Sequence, residues 1–205
     1  AKARELIIFS VNEVARKHQS LLESEQLTDI DKEAYRRLLR EDMTEAVLVN
    51  SLKTLSGLLQ KHFGKKTIIL IDEYDVPLAK AFEQGYYDEM TELIRGFFGQ
   101  ALKSNDSLEF AVLTGCMRLS RESIFTGLNN LRVCSITDVN FEEFFGFTDI
   151  EVREMLVYYG CQENYREIKE WYDGYRFGNT EVYCPWDVLN HLESLRNGQV
   201  SIPQN

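Results

Sequence analysis

The sequence contains no run of the roughly 18 apolar residues that a membrane-spanning helix needs, so no such helix is expected in this stretch. The amino terminus, AKARELIIFS, does not develop into a signal peptide: its apolar stretch is short and no small-residue cleavage site follows. Clusters of Lys and Arg are missing, and a net charge of −10 argues against a broad nucleic-acid surface. The four cysteines, Cys116, Cys134, Cys161 and Cys184, never form C-x-x-C, so neither a zinc site nor a disulfide framework is expected. The three histidines, His18, His62 and His191, stand alone without metal-ligand spacing. There is no G-x-S-x-G, no histidine partner is evident for Cys116, and no internal repeat or low-complexity tract occurs. What is left is a globular protein expected in the cytoplasm, with 205 residues for one large domain or a core with an appendage. An initiator Met is also absent, so the chain is expected to begin inside a longer protein or after a removed tag.

Residues 1–63 read as helical, because apolar residues such as Tyr35, Leu38, Leu39, Met43, Leu52, Leu55 and Leu59 recur mostly at three- and four-residue steps. Thr28 or Asp29 is placed to cap the second of these helices. The pattern then changes. TIILID (67–72) is a short continuous apolar run rich in β-branched residues, as expected of a strand buried on both faces. SLEFAVLTG (107–115) is a second such run and LRVCSI (131–136) a weaker third, with a helical stripe from Met90 to Leu102 between the first two. Strand, helix, strand at this spacing predicts an α/β fold with a parallel sheet, whose ligands sit beyond the carboxyl ends of the strands. From Phe147 onward the chain reads as helical again, with Thr148 and Glu151 forming a capping-box pattern and Pro185 near the first turn of the last helix. The expected division is a core over 1–146 and a small helical lid over 147–205.

IILIDEYD carries the chemistry. An acid at the end of a buried strand, Asp72, suits Mg²⁺, which prefers carboxylate and water oxygens. The next residue, Glu73, suits the positioning of a water that attacks a γ-phosphate. The alternative is a strand that simply ends in acids at a solvent-facing loop. Thr114, at the end of the second run, brings a hydroxyl to the same sheet edge, as a nucleotide sensor or a plain strand terminator. Arg118 and Arg121 follow, suited to phosphate or carboxylate and equally to an ordinary surface.

What such a site normally also has, a G-x-x-x-x-G-K-[ST] loop, is absent. GKKT (64–67) mimics its tail, but no Gly stands at Leu59, and the stretch leaves a helix to enter a strand rather than the reverse. Glu167-Ile168-Lys169 has the E-x-K form of restriction-type nuclease sites, but lies in a helical pattern rather than on a strand.

LIDEYDVPL, FAVLTGCMRLSRESIFTGLNNLRV, FFGFTDIEV, WYDGYRFG and VYCPWDVL, in that order from about Lys66 to His191, resemble the bacterial "predicted AAA-ATPase" family. Its members often carry a nuclease-like domain of the PD-(D/E)XK superfamily at their carboxyl end. The resemblance implies an incomplete P-loop NTPase fold of the ASCE/AAA-like class, with ATP and Mg²⁺ as cofactors. Asp72 and Glu73 match the Walker B acids and Thr114 the sensor strand, while the family's phosphate-binding motif lies upstream of residue 1. The chain is thus expected to be a fragment, inactive alone, of an ATP hydrolase. A nucleotide-regulated or nucleotide-free interaction module is the alternative, and a nuclease-associated domain a weaker one. By analogy with lids of related ATPases, Pro185 is placed near the adenine. WYDGYRFG has no role derivable from its residues; Trp171, Tyr172 and Tyr175 either pack the lid or shape a nucleotide or partner surface. Cys184 departs from the family, which usually has Asn there. With the phosphate-loop strand missing, unpaired sheet edges are expected to drive self-association or a rearranged sheet.

Overall fold

The computed structural model describes residues 2–116, 124, 125, 128 and 131–198, and the chain divides into two compact units, Ala1–Asn130 and Leu131–Asn205. This break comes earlier than the one expected at 146/147.

The first unit begins with helices α1 (Lys2–Arg16), α2 (Asp29–Leu38), α3 (Glu45–Val49) and α4 (Ser51–Phe63), with a 3-10 turn at Gln19–Glu23. Of the two candidate caps for α2, Thr28 serves: its hydroxyl accepts from the Asp31 amide while the Asp31 carboxylate accepts from the Thr28 amide. The apolar stripes of these helices meet in one core that includes Ile8, Val11, Leu21, Tyr35, Leu48 and Leu55. Burying such side chains contributes about 1.5–3 kcal/mol each, which makes this helical cluster the stable part of the unit. Its buried polar groups are satisfied. The Tyr35 hydroxyl donates to the Ala15 carbonyl at 2.6 Å, and Asn12 Nδ2 to the Leu38 carbonyl at 3.2 Å.

Strand β1 (Thr67–Ile71) connects through α5 (Val76–Glu83), α6 (Tyr87–Phe98) and a π-helical turn (Gly99–Lys103) to β2 (Leu108–Leu113). The two strands pair in parallel, Ile68 opposite Phe110 and Ile71 opposite Leu113. A parallel pair needs a crossover of this kind. β1 is not buried on both faces as its apolar run predicts. Ile69 is 8% exposed, but Ile68 and Leu70 are 53% and 74% exposed, as are their neighbours Phe110 and Val112 at 50% and 46%. The reason is that among the described residues this sheet stops at two strands and nothing covers that face.

The second unit departs further from expectation. LRVCSI is not a strand. The Ser135 amide donates to Asp138 Oδ2 at 2.6 Å and the Ser135 hydroxyl meets that of Thr137, so local side chains capture the backbone and turn it. Nor is the region from 147 purely helical. Strands β3 (Phe147–Thr148), β4 (Asp173–Phe177) and β5 (Thr180–Tyr183) form an antiparallel sheet in the order β3-β5-β4, alongside α7 (Asp149–Tyr159), α8 (Tyr165–Tyr172) and α9 (Pro185–Arg196). The physical reason is a tight turn at Gly178-Asn179 flanked by strand-forming Tyr175, Phe177, Thr180, Val182 and Tyr183. Gly178 has φ 54°, and any side chain there would run into the Glu142 carboxylate and the Asp138 carbonyl. Its amide donates to the Ile136 carbonyl at 2.8 Å, and the Asn179 amide donates to Glu142 at 2.7 Å. The hairpin tip is therefore pinned to the segment that precedes β3. α7 opens on the Thr148–Glu151 capping box, and Val152, Leu156, Ile168, Tyr183, Val188 and Leu192 form this unit's core. No helix among the described residues is long and apolar enough to cross a membrane.

Candidate functional site

Parallel pairing of β1 and β2 brings the residues after both strands to one edge, and Thr114 ties them together. Its amide donates to the Ile71 carbonyl at 2.9 Å and its carbonyl accepts from the Tyr74 amide at 3.0 Å. Its hydroxyl donates to Asp72 Oδ1 and accepts from the Glu73 amide, the latter at 3.2 Å. Asp72, Glu73 and Thr114, read separately from sequence, thus form one cluster. Both carboxylates face solvent.

The turn that carries them is strained. Glu73 has φ 52°, a left-handed conformation that costs a residue with a Cβ about 1–2 kcal/mol. That strain lets two successive amides, those of Glu73 and Tyr74, reach Thr114. Behind the turn, Asp75 is buried at 3% exposure and stands at the N-cap position of α5, its carbonyl accepting from Leu78 and Ala79 at 3.0 Å each. Pro77 sits in the first turn, where an amide donor is not needed. Gly115 passes so close that a Cβ would lie 2.6 Å from the Tyr74 ring and 2.8 Å from the Asp75 carboxylate. The Tyr74 ring meets Phe98 and Phe125 edge-on, at centroid distances of 6.4 and 5.4 Å. Tyr74 and Asp75 lie inside the acidic motif, and their role is not marked locally, because the glycine that packs against them, Gly115, stands 40 residues on from Asp75.

Arg118 and Arg121 lie outside the described residues. Pro185 opens α9, in the second unit, and Cys184 before it makes no capping hydrogen bond. Of the WYDGYRFG aromatics, Tyr172 packs on the core of its unit, whereas Trp171 and Tyr175 are 51% and 58% exposed. No group of three or more His, Cys, Asp or Glu suited to a metal occurs among the described residues. The donors at Asp72 and Thr114 do fit Mg²⁺ held in its usual manner, by one or two carboxylates with water and phosphate oxygens completing the shell.

A second polar cluster, in the unit of Leu131–Asn205, was not legible. Asp149, in the first turn of α7, accepts from Arg153 Nε at 2.7 Å, Tyr165 at 2.6 Å and the buried Tyr183 at 2.8 Å. The Arg153 guanidinium lies 3.6 Å above the Tyr165 ring. Burial pushes the Asp149 carboxyl upward, but the three donors and the Arg153 charge outweigh it and bring the pKa down to about 2. Tyr183 shifts upward through burial and the adjoining Asp149. His191 is buried at 2%, its Nδ1 3.2 Å from the Tyr172 hydroxyl, and burial lowers its pKa against the pull of Glu167.

A family model described as "Predicted AAA-ATPase" matches residues 2–125. The match takes in the helical region and the acidic cluster and stops before FFGFTDIEV and WYDGYRFG, so it lies further toward the amino terminus than the motif string suggested. A curated relative, "Uncharacterized protein in vnfD 5'region" of Azotobacter chroococcum mcd 1, is 30% identical over 127 residues, covering 62% of this chain and 24% of that protein. The chain thus spans about a quarter of the length of this relative. No solved structure matches it.

Proposed function

The chain belongs to the predicted AAA-ATPase family, and from that premise we propose that it supplies the metal-and-water side of an ATP-hydrolysing site. The observation that supports this reading is the Thr114 hydroxyl, which donates to Asp72 and accepts from the Glu73 amide at the carboxyl ends of two parallel strands. In this proposal Asp72 holds Mg²⁺ as the Walker B acid, Glu73 orients and deprotonates the attacking water, and Thr114 acts as sensor between the acid and the γ-phosphate. Mg²⁺ when bound would offset charge on the phosphate oxygens. Thr114 keeps the Asp72 carboxylate from rotating, and the strained turn at Glu73 aims its carboxylate outward. Strain of this kind is characteristic of functional positions. Arg118 and Arg121 are proposed phosphate ligands and Pro185 an adenine neighbour.

The cradle for the β- and γ-phosphates is proposed to lie upstream in the parent protein, so the chain alone is expected to bind Mg·ATP poorly and to be inactive. Calorimetry with this chain, beside a longer protein extended upstream through the expected phosphate loop, tests this. Binding by the longer protein alone supports the reading; tight binding by the short chain overturns it. In the longer protein, Glu73→Gln is expected to lower turnover by about 10²-fold or more while Mg·ATP still binds. Unchanged turnover removes Glu73 from the mechanism.

A second reading, an interaction module, is favoured by the short β1-β2 sheet, which among the described residues has no third strand on either edge and an apolar face exposed at Ile68, Leu70, Phe110 and Val112. We propose that this open two-stranded sheet pairs with a second copy of the chain by strand addition. Light scattering is expected to show a concentration-dependent dimer, and a monomer at all concentrations overturns it.

A further inference from the structure

At the opposite end of the same strands, a cavity of about 470 Å³ opens between α2, α4 and the turn that leads into β2. Ligand pockets commonly fall in the range of about 300–1,000 Å³. One stripe of α4 supplies its wall, with Lys53, Thr54, Gly57 and Lys61 below Asn50 at the N-cap, and Asp31, Asp106 and Ser107 also line it.

The charges in it are unequally committed. Lys61 is taken: its ammonium lies 2.6 Å from Asp31, and the hydrogen bond from Lys61 holds that carboxyl below its usual value. The other Asp31 oxygen accepts from Thr28. This pair fastens α2 to α4 and leaves little capacity for anything else. Lys53 is different. It is half-buried, it has no carboxylate partner among the described residues, and its only side-chain contact is Gln100 Oε1 at 3.4 Å. The hydroxyls of Thr54 and Ser107 line the same space and make no hydrogen bond among the described residues, although the Ser107 carbonyl accepts from Thr67 at 2.8 Å. Gly57 leaves the wall open: a Cβ there would meet only Ser107 Oγ, at 3.9 Å.

Asp106 also lines the cavity but makes no ion pair with Lys53, and a half-buried ammonium that no carboxylate contacts among the described residues, beside two unused hydroxyl donors, suits an anion. We propose that this cavity binds a small oxyanion, the phosphate of a monoester or a carboxylate, with Lys53 supplying the charge and Thr54 and Ser107 the hydrogen bonds. The site is separate from the acidic cluster, and its occupant rests on the amino ends of β1 and β2 through Ser107. It does not depend on the reading of Asp72 and Glu73.

The test is a ¹H–¹⁵N NMR titration of the chain with inorganic phosphate and, separately, with acetate. Saturable shifts are expected at the amides of residues 53–57 and 105–107 with at least one of the two, and the stronger binder identifies which oxyanion the site prefers. Lys53→Met keeps the aliphatic stem and is expected to weaken binding by about tenfold or more, the loss of a charge-assisted hydrogen bond. Thr54→Val and Ser107→Ala, smaller changes that report even where Lys53→Met does not fold, are each expected to weaken it several-fold. Lys65→Ala with Lys66→Ala leaves it unchanged. Shifts that do not saturate, shifts confined to the exposed Gly64–Lys66 turn, or full binding by Lys53→Met and Thr54→Val overturn the proposal.

Discussion

Asp72 and Asp149 are both aspartates that follow a strand, yet the protein treats them in opposite ways. Asp149 accepts from two tyrosines and an arginine, in contact with a core that includes Tyr183 at 1% exposure. Among the described residues Asp72 has one side-chain donor, the Thr114 hydroxyl, and is exposed. A carboxylate that accepts three side-chain hydrogen bonds across both oxygens ties elements together and has little left for a ligand. A carboxylate fixed at one oxygen and open at the other is oriented and still available. The difference separates a structural acid from a candidate ligand without reference to any motif.

Four measurements sharpen or break that contrast. The largest effect is expected at the saturated acid. Asp149→Ala leaves the buried Tyr183 hydroxyl and Tyr165 without their acceptor and should lower stability by about 2–3 kcal/mol. Asp72→Ala, on an exposed loop, should cost less than about 1 kcal/mol. Both tryptophans, Trp171 and Trp186, belong to the second unit, so in urea unfolding tryptophan fluorescence reports on the region around Asp149, and far-ultraviolet circular dichroism in the same titration reports on the first unit for Asp72→Ala. Equal midpoints for the two variants would erase the distinction. The same contrast has a pH signature. The Asp149 carboxyl titrates at about 2 in the folded protein, below its ordinary value of 3.8. Its contribution is therefore fully present above about pH 4 and lost as pH falls toward 2. Fluorescence-monitored stability should decline across that window, and Asp149→Asn should flatten the decline.

The next effect belongs to the packing behind the open acid. Gly115→Ala forces a methyl against Tyr74 and Asp75 and should cost about 1–3 kcal/mol, read from a circular-dichroism melt of the far-ultraviolet signal. A neutral result would mean that the Tyr74 ring moves freely and does not brace the turn. The smallest effect has the other sign. Glu73→Asn places a residue that tolerates the left-handed region at φ 52° and should raise stability by less than about 1 kcal/mol. Loss of stability would show that the Glu73 side chain, rather than its backbone, holds the turn.

How far these regions were legible follows from the range of the interactions that build them. TIILI and LEFAVL are β-branched and apolar over a strand's length, and they are β1 and β2. The caps at Thr28 and Thr148 are local, each closed by an acid three residues on; the Thr148–Glu151 box reads directly, while sequence left Thr28 and Asp29 both open for α2. Asp72, Glu73 and Thr114 were candidates because each ends a strand-like run, but their mutual contact depends on parallel pairing and became visible only with the fold. The bare face of β1 was invisible, since an unbroken apolar run does not say how many faces are covered. LRVCSI failed because Ser135 and Asp138 capture the backbone locally, a competition that hydrophobic pattern ignores. The β4–β5 hairpin was missed although Gly178-Asn179 between strand formers is a turn signal, because the helical pattern of α8 runs straight into it. Asp149 looked like an ordinary first-turn acid. Arg153 is local, four residues on, but its tyrosine partners come from 16 and 34 residues away, and nothing local marks them.

The separation of 42 residues between Asp72 and Thr114 also has a meaning in time. Closing a loop of that size costs roughly 3 kcal/mol beyond a fixed term, and the chain recovers none of it until β1 and β2 meet. Helices α5 and α6 must therefore be in place before the Glu73 turn has anything to bind. Every hydrogen bond from that turn to Thr114 forms after the strands zip and breaks when they part. The acids are thus among the last groups to acquire their native arrangement and among the first to lose it, and any event that pulls the strands apart disarms them without touching either carboxylate.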